Sequence, residues 1–143
     1  MEISIREVAP MFPVYEDVWQ LRNEVLRKPL GLELTREEVL QETKQIHLAA
    51  FASRELLGCV LLVPLQGEIK LRQMAVSEKA RGRGIGKELL VAAETLAKKL
   101  GYSMIFCHAR ESAVDFYKSN GWIVEGSRFI EVTIPHFSMK KTL

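Results

Sequence analysis

A glycine-rich turn between a strand and a helix constrains this chain more than any other feature. Residues 71–76 have the apolar character of a strand, and a long apolar-periodic run begins at Ile85. Between them the chain reads Arg81-Gly82-Arg83-Gly84-Ile85-Gly86, with a glycine at every second position. Glycine adopts positive φ readily and has no Cβ to block an approaching ligand. The stretch therefore predicts a strand, a tight turn and a helix in succession.

The same turn has the properties of an anion site. The first N–H groups of a helix have no backbone partner, and the helix dipole places partial positive charge there, which suits a phosphate or pyrophosphate. Arg81, Arg83 and Lys87 add charge nearby, although a plain solvated basic turn fits these residues too. A P-loop is excluded because Glu88 follows Lys87, and the glycine spacing differs from that of dinucleotide-binding folds.

Length and composition favour one globular domain covering residues 1–143. The chain has 48% hydrophobic and 27% charged residues, as soluble domains do. Its net charge of +2 is too small to indicate a nucleic-acid partner. No signal peptide and no apolar run of about 18–20 residues are visible, so we expect a cytoplasmic protein without membrane contact. Cys59 and Cys107 lack metal-ligand spacing, so we expect buried free thiols and no metal.

Strand and helix patterns alternate along the chain. Val14, Val18, Leu21 and Val25 recur at helical spacing before Pro29 and Gly31, and Thr35 with Glu38 forms a capping-box pattern. Strands are predicted at 3–8, 47–52, 56–63, 68–76, 102–108, 122–125 and 129–133, with 137–143 completing the edge. Helices are predicted from 14 to the residue before Pro29 and at 36–45, 85–100 and 111–119.

The patterns of three consecutive predicted strands, 47–52, 56–63 and 68–76, indicate how the sheet is packed and where it is irregular. The runs 47–52 and 56–63 are apolar on both faces, which predicts a sheet covered on both sides. Within 68–76 the apolar parity slips near Arg72 and Gln73, which indicates a β-bulge or a strand buried on both faces. We predict an α/β (α+β) fold with a mixed, mostly antiparallel sheet of six or seven strands and about four helices.

Two blocks of the sequence resemble the GNAT acyltransferase superfamily. The turn, with Met74-Ala75-Val76 before it, is similar to that family's R-x-x-G-x-G acyl-CoA-binding motif. The segment Phe116-Tyr117-Lys118-Ser119-Asn120-Gly121-Trp122 is similar to its F-Y-x-x-x-G-F/W block. The C-terminal run Ile134-Pro135-His136, with Met139 and Lys140 after it, resembles a small bacterial subgroup. The resemblance implies a bulged strand that splays from its neighbour.

The resemblance also implies acetyl-CoA as co-substrate and assigns residues to it. Backbone N–H groups of 81–87 would hold the pyrophosphate, and the bulged strand would pair with the pantetheine arm. Tyr117 would be the general acid at the coenzyme sulfur, although a core tyrosine fits the pattern as well. The implied coenzyme-binding residues are Met74, Ala75, Val76, Arg81, Gly82, Arg83, Gly84, Ile85, Gly86, Lys87 and Tyr117.

For the acceptor, the resemblance implies a primary amine of a small molecule or peptide. His108 and His136 are the candidate bases, and Arg22, Glu131 and His136 the candidate acceptor contacts, although ordinary structural roles fit all four. Arg110 stands where many members of the family place an asparagine that contacts pantetheine. No Ser-His-Asp or Cys-His spacing is present, which favours direct attack in a ternary complex.

Two other classes of function remain open at this point. A non-catalytic acyl-CoA-binding or sensor domain would share the fold and the glycine turn. A nucleic-acid-binding module would use the basic turn, but the near-neutral charge and the lack of interleaved aromatic residues disfavour it. Edge strands near the C-terminus are compatible with a homodimer.

Overall fold

Seven strands form one sheet in the computed structural model, which describes residues 2–143. They are β1 (Ser4–Glu7), β2 (Ile46–Ala52), β3 (Glu55–Pro64), β4 (Ile69–Val76), β5 (Met104–Arg110), β6 (Ile123–Glu131) and β7 (Ile134–Thr142). The α-helices are α1 (Glu16–Arg22), α2 (Arg36–Leu40), α3 (Ile85–Lys99) and α4 (Val114–Ser119). The spatial order is β1-β2-β3-β4-β5-β7-β6. Within residues 2–143 only β4 and β5 pair in parallel, which confirms the predicted fold.

Apolar side chains cover both faces of β2 and β3, as their two-sided patterns predict. On one face, Ile85 and Leu89 of α3 belong to a core that includes Val60. On the other face, Val18 of α1 belongs to a second core that includes Cys59. Both cysteines are buried and free. The two cores hold β3 and β4 rigidly between helices, so the position of β4 is well determined by packing.

A β-bulge interrupts β4, as the parity slip indicates. Cys59 of β3 lies opposite Ala75, and Leu61 lies opposite Arg72, so two steps along β3 correspond to three along β4. The extra residue is accommodated at Gln73, whose φ is 58°. Positive φ is unfavourable for a residue with a Cβ, and such strain is often found beside functional sites.

Beyond the bulge, β4 and β5 separate. Their parallel pairing is limited to Ile69 opposite Ile105, Lys70 opposite Phe106 and Leu71 opposite Cys107. β5 continues to Arg110 while paired with β7 on its other side. The predicted splayed strand pair is therefore confirmed, and it leaves a gap between the second halves of the two strands.

The first helical region differs from its prediction. Val14 lies outside the helix and is 64% exposed, because α1 begins only at Glu16. A π-helical segment (Asn23–Arg27) and a 3₁₀ turn (Lys28–Leu30) then continue α1, and Gly31 ends it at φ 72°. We call residues 23–30 the α1 extension.

The second helix is shorter than its prediction of 36–45. The Thr35 hydroxyl accepts a hydrogen bond from the Glu38 N–H at 3.1 Å, so the predicted cap is present. The helix itself ends at Leu40. Glu42 follows in a turn that directs its carboxylate inward to Arg22, and this buried partner replaces further helical turns.

The C-terminal strands were also predicted incorrectly. One strand, β6, spans most of the two segments predicted separately at 122–125 and 129–133, and its pairing with β7 is interrupted between Glu125 and Phe129. The predicted edge at 137–143 belongs to β7, which lies between β5 and β6. The tight turn at Val132 and Thr133, both with positive φ, makes β6 and β7 a hairpin. The hairpin docks through β7, so β6 becomes the edge.

Within residues 2–143, no helix combines the length and apolar character that crossing a membrane requires. The same part of the chain contains no cluster of three or more His, Cys, Asp or Glu side chains arranged to hold a metal ion.

Candidate active site

A cavity of about 360 Å³ opens where β4 and β5 separate. Its walls come from the α1 extension, the bulged part of β4, the end of β5, the start of α4 and the turn between β6 and β7. Met74, predicted to contact the coenzyme, lines this cavity, while Ala75 is buried and pairs with Cys59 of β3. Val76 pairs with Gly58 and lies nearer to α3.

Tyr117 closes one side of the cavity from α4. It is 5% exposed, and its ring packs between Phe116 and Trp122 with centroids 5.2 Å apart in both cases. Burial raises the pKa of its hydroxyl far above the usual value, and the adjacent Cys107 thiol raises it further. Tyr117 therefore stays protonated at physiological pH and can act as a proton donor in the cavity.

Neither cysteine has the properties of a nucleophile. Burial raises the pKa of the Cys107 thiol to about 12, and burial raises the pKa of Cys59 to about 12 as well. The reactive form of cysteine is the thiolate, which forms at neutral pH only when the pKa is lowered. Both residues therefore remain inert thiols.

Three of the predicted acceptor-side residues meet in the lining of the same cavity. The Glu131 carboxylate lies between two imidazoles: its Oε1 is 3.0 Å from His108 Nδ1, and its Oε2 is 3.8 Å from His136 Nε2. Phe129 packs against both rings, at centroid distances of 5.1 and 5.9 Å. We call these three residues, His108, Glu131 and His136, the His–Glu cluster.

The hydrogen bonds of the His–Glu cluster assign one proton. His136 Nδ1 is 2.9 Å from the carbonyl oxygen of Ile134, and a carbonyl only accepts, so Nδ1 carries a hydrogen. In neutral His136 the Nε2 atom is then an acceptor that faces the cavity side and Glu131. A carboxylate and an accepting imidazole nitrogen next to each other form a site that can take up a proton.

The glycine turn leaves open space at the start of α3. Gly82 and Gly84 have φ values of 81° and 77°, and a Cβ added to either would meet no atom within 4 Å. Gly84 precedes the first helical residue, and α3 has no side-chain cap. A Cβ on Gly86 would make an ordinary van der Waals contact with the Phe116 ring at 3.4 Å, so Gly86 lies against α4. The first backbone N–H groups of a helix have no intrahelical partner and suit an anion, so we call residues 81–87 the anion cradle.

The predicted coenzyme residues of the turn differ in how they are placed. Ile85 is buried, so its side chain anchors the helix and only its backbone faces a ligand. Arg81, Arg83 and Lys87 are exposed beside the turn. Arg81 is in extended conformation and follows a short 3₁₀ turn (Glu78–Ala80). Positive side chains therefore surround the open start of α3.

Arg22 does not line this cavity. Its side chain is 0% exposed, and it forms a two-pronged ion pair with Glu42 at 2.7 and 2.9 Å. It also donates to the Tyr15 hydroxyl at 3.0 Å. A guanidinium enclosed in this way has no surface for an acceptor, so we leave Arg22 out of the proposed acceptor site.

Sequence reasoning missed Lys70 and Arg72, which both line the cavity from β4. The signal was present, because the run Ile69-Lys70-Leu71-Arg72 alternates apolar and cationic residues. Such alternation places the two cations on one face of a strand. Arg110, identified as a departure from the family pattern, lines the cavity from the end of β5.

Comparison with known proteins is consistent with this geometry. The uncharacterized N-acetyltransferase YjcF of Bacillus subtilis is 27% identical over 127 residues, or 88% of this chain and 91% of that protein. The spermidine N(1)-acetyltransferase of Thermoplasma acidophilum is 30% identical over 148 residues, or 90% and 92%. A putative N-acetyltransferase from Lactobacillus plantarum has a solved structure with TM-score 0.87 and 20% identity, covering 100% and 99%.

A second solved structure, the PaiA N-acetyltransferase of Thermoplasma acidophilum in complex with coenzyme A, superimposes with TM-score 0.82 and 22% identity over 100% of both chains. At 20–22% identity, the similarity to these two structures shows a shared fold. The acetyltransferase (GNAT) domain family matches residues 14–143. This match shows that the chain belongs to the GNAT family and is an acetyl-CoA-dependent N-acetyltransferase.

Proposed function

We propose that the protein transfers an acetyl group from acetyl-CoA to a primary amine by direct attack within a ternary complex. The observation that carries this proposal is the composition of one cavity. A buried, protonated tyrosine and the His–Glu cluster both line it. The first can donate a proton to a leaving thiolate, and the second can accept one from an amine.

For the coenzyme, we propose that the anion cradle holds the pyrophosphate. The open space at Gly82 and Gly84 and the uncapped start of α3 support this. Arg81, Arg83 and Lys87 would add positive charge around it. The gap between β4 and β5 is the proposed position of the pantetheine arm, next to Met74. When bound, acetyl-CoA supplies an acetyl group activated as a thioester.

The acid and base roles follow from proton balance. A C–N bond forms and the C–S bond breaks, so the amine loses a proton and the thiolate gains one. We propose the His–Glu cluster as the base, with His108 or His136 taking the amine proton and Glu131 orienting them. Tyr117 is the proposed acid, because it lines the same cavity and its hydroxyl is protonated at neutral pH.

The inert thiols support direct attack. An acyl-enzyme would need a nucleophile, and both cysteines are buried with raised pKa values. Initial rates measured at several concentrations of both substrates should therefore give intersecting double-reciprocal lines. Parallel lines would indicate a covalent intermediate and contradict this part of the proposal.

The names of similar proteins support an amine acceptor. One relative is called a spermidine N(1)-acetyltransferase, and one structural neighbour is an aminoglycoside 6'-N-acetyltransferase complexed with coenzyme A. Both names denote acetylation at nitrogen. For this chain we propose a small-molecule or peptide amine. The bacterial subgroup, the cytoplasmic location and a homodimer remain predictions.

Tyr117→Phe tests the proposed acid most directly. We expect kcat for thiol release from acetyl-CoA, measured with a panel of primary amines, to fall by at least about 100-fold. The affinity for acetyl-CoA should stay nearly unchanged, because the ring and its packing remain. Tyr102→Phe is the matched control, since its hydroxyl donates only to the Leu65 carbonyl at 3.3 Å. Full turnover by Tyr117→Phe would contradict the assignment.

A further inference from the structure

The cavity contains more positive than negative charge. Four cationic side chains line it, from Arg27, Lys70, Arg72 and Arg110, against one carboxylate, that of Glu131. Glu131 is already engaged by His108. Arg72 is matched from outside the cavity by Glu42 at 3.3 Å. The charge that remains is therefore concentrated on the other three cations.

Arg110 and Lys70 have no carboxylate partner in the ion pairs formed within residues 2–143. Arg110 Nη2 donates to the Leu26 carbonyl of the α1 extension at 3.1 Å, which fixes the guanidinium against the cavity wall. Lys70 Nζ lies 3.4 Å from His108 Nδ1. Arg110, a cation without a carboxylate partner within residues 2–143, therefore lies beside the α1 extension, and Lys70, the other one, lies beside the His–Glu cluster.

Arg27 increases the positive potential near Arg110. Partial burial lowers the pKa of Arg110, and the like charge of Arg27 lowers it further, so the two guanidiniums repel each other in a partly desolvated place. Arg27 has a partner in Glu38, but their distance is 3.4 Å and Glu38 is 48% exposed, so this pair compensates little. An anion between the two guanidiniums would relieve the repulsion.

We propose that the acceptor is an amine that also bears an anionic group, a carboxylate or a phosphate, held by Arg110 together with Arg27. This inference rests on the proposed N-acetyl transfer and adds the class of acceptor. The acceptor amine lies at the His–Glu cluster, and the anionic group lies toward the α1 extension. Arginine is suited to this role because its planar fork binds carboxylate and phosphate with two hydrogen bonds.

The same charges select against polycationic amines. A second ammonium group on the acceptor would approach Arg27, Lys70 or Arg110, and like charges in a partly buried cavity repel strongly. The proposed acceptors therefore differ in charge from spermidine, the polyamine in the name of the relative from Thermoplasma acidophilum.

Matched acceptor pairs test the proposal. Acetyl-CoA is kept saturating, and kcat/KM is measured for glycine against glycinamide, lysine against cadaverine, and phosphoethanolamine against ethanolamine. Either the carboxylate acceptors (glycine and lysine) or the phosphate acceptor (phosphoethanolamine) should have a kcat/KM about 10-fold or more above that of their partners. A hydrogen bond to a charged group contributes about that factor. The carboxylate and phosphate arms show which group the site takes. Equal or better turnover of the neutral and cationic members would overturn the proposal while leaving N-acetyl transfer intact.

Variants locate the effect in the cavity. Arg110→Gln and, as a second variant, Arg27→Gln should raise KM for the anionic acceptor about 10-fold and leave KM for its neutral partner and for acetyl-CoA unchanged. Arg128→Gln is the control, because Arg128 pairs with Glu111 on the exposed surface. A raised KM for acetyl-CoA alone would overturn the proposal by assigning the guanidinium to the coenzyme. No turnover of any amine by an enzyme that binds acetyl-CoA would contradict the proposed function and this inference together.

Discussion

The hydrogen-bond partners of the buried residue His47 determine the protonation state of its imidazole. It is 1% exposed. Its Nε2 is 3.0 Å from the Glu42 carbonyl, which can only accept, so Nε2 carries the hydrogen. Its Nδ1 then accepts from the Tyr15 hydroxyl at 2.7 Å, and that hydroxyl accepts from Arg22 at 3.0 Å. An accepting Nδ1 requires the neutral imidazole, and burial lowers the pKa of His47 accordingly.

This assignment predicts how stability depends on pH. The pKa of His47 is lowered in the folded state and about 6.5 in the unfolded state. Its contribution to the free energy of unfolding is therefore full above about pH 6.5 and is lost as the pH falls through the lower, folded-state pKa. Urea unfolding at pH 7.5 and pH 5.5 should show a lower free energy of unfolding at pH 5.5.

His47→Gln supplies the comparison, because an amide can donate and accept but does not titrate. Its free energy of unfolding should change less than that of the wild type between the two pH values. Burial would raise the pKa of Glu42, but its ion pair with Arg22 lowers it below the usual value. Glu42 therefore takes up a proton only below this pH window. A wild type as stable at pH 5.5 as at pH 7.5 would show that the imidazole is not held neutral.

At the scale of elements, a buried ion network joins three parts of the fold. Arg22 at the end of α1 binds Glu42 after α2, and Arg22 Nη2 lies 3.4 Å from the side-chain oxygen of Gln73 at the bulge of β4. Arg72 Nη1 adds contacts to Glu42 at 3.3 Å and to Gln45 at 3.0 Å. The bulge, which separates β4 from β5, is therefore supported from the face opposite α3.

A double-mutant cycle measures this support. Glu42→Met leaves the buried Arg22 guanidinium without a carboxylate and should lower the free energy of unfolding by about 3–5 kcal/mol. Arg22→Met should cost less, because the Glu42 carboxylate keeps its ion pair with Arg72. The double variant should lose clearly less than the sum of the two. Arg128→Met, which breaks an exposed pair, should change stability by less than about 1 kcal/mol. Additive losses in the cycle would show that Arg22 and Glu42 do not act as a pair.

Hydrophobic patterns in the sequence predicted the features that depend on neighbouring residues along the chain. The stripe from Ile85 to Ala97 forms α3, and the slip near Gln73 is a bulge. Local patterns could not show partners: Arg22 and Glu42 are 20 residues apart, and nothing in either neighbourhood says that they meet in the core. The insertion of β7 between β5 and β6 is likewise a matter of pairing across the sheet, which hydrophobic alternation does not encode.

For the molecule as a whole, the same reasoning separates the two halves of the site. The proposed coenzyme half draws on the contiguous stretch 71–87 and the start of α4, so sequence motifs alone were enough to propose it. The proposed acceptor half combines the α1 extension, β4, β5 and the β6–β7 turn. Sequence reasoning found the His–Glu cluster through resemblance but not the cations of β4, because only the folded sheet brings Lys70 beside His108.

The central claim is that the uncapped start of α3 holds the pyrophosphate of acetyl-CoA, and calorimetric titration tests it most directly. Lys87→Glu places a carboxylate in the first turn without backbone strain. Lys98→Glu makes the same charge change at the exposed last turn of the same helix. We expect wild type and Lys98→Glu to bind acetyl-CoA with similar dissociation constants. Lys87→Glu should bind at least about 10-fold more weakly, because like charges then face each other at the cradle. Equal binding by both variants, or no binding by folded wild-type protein, would contradict the account.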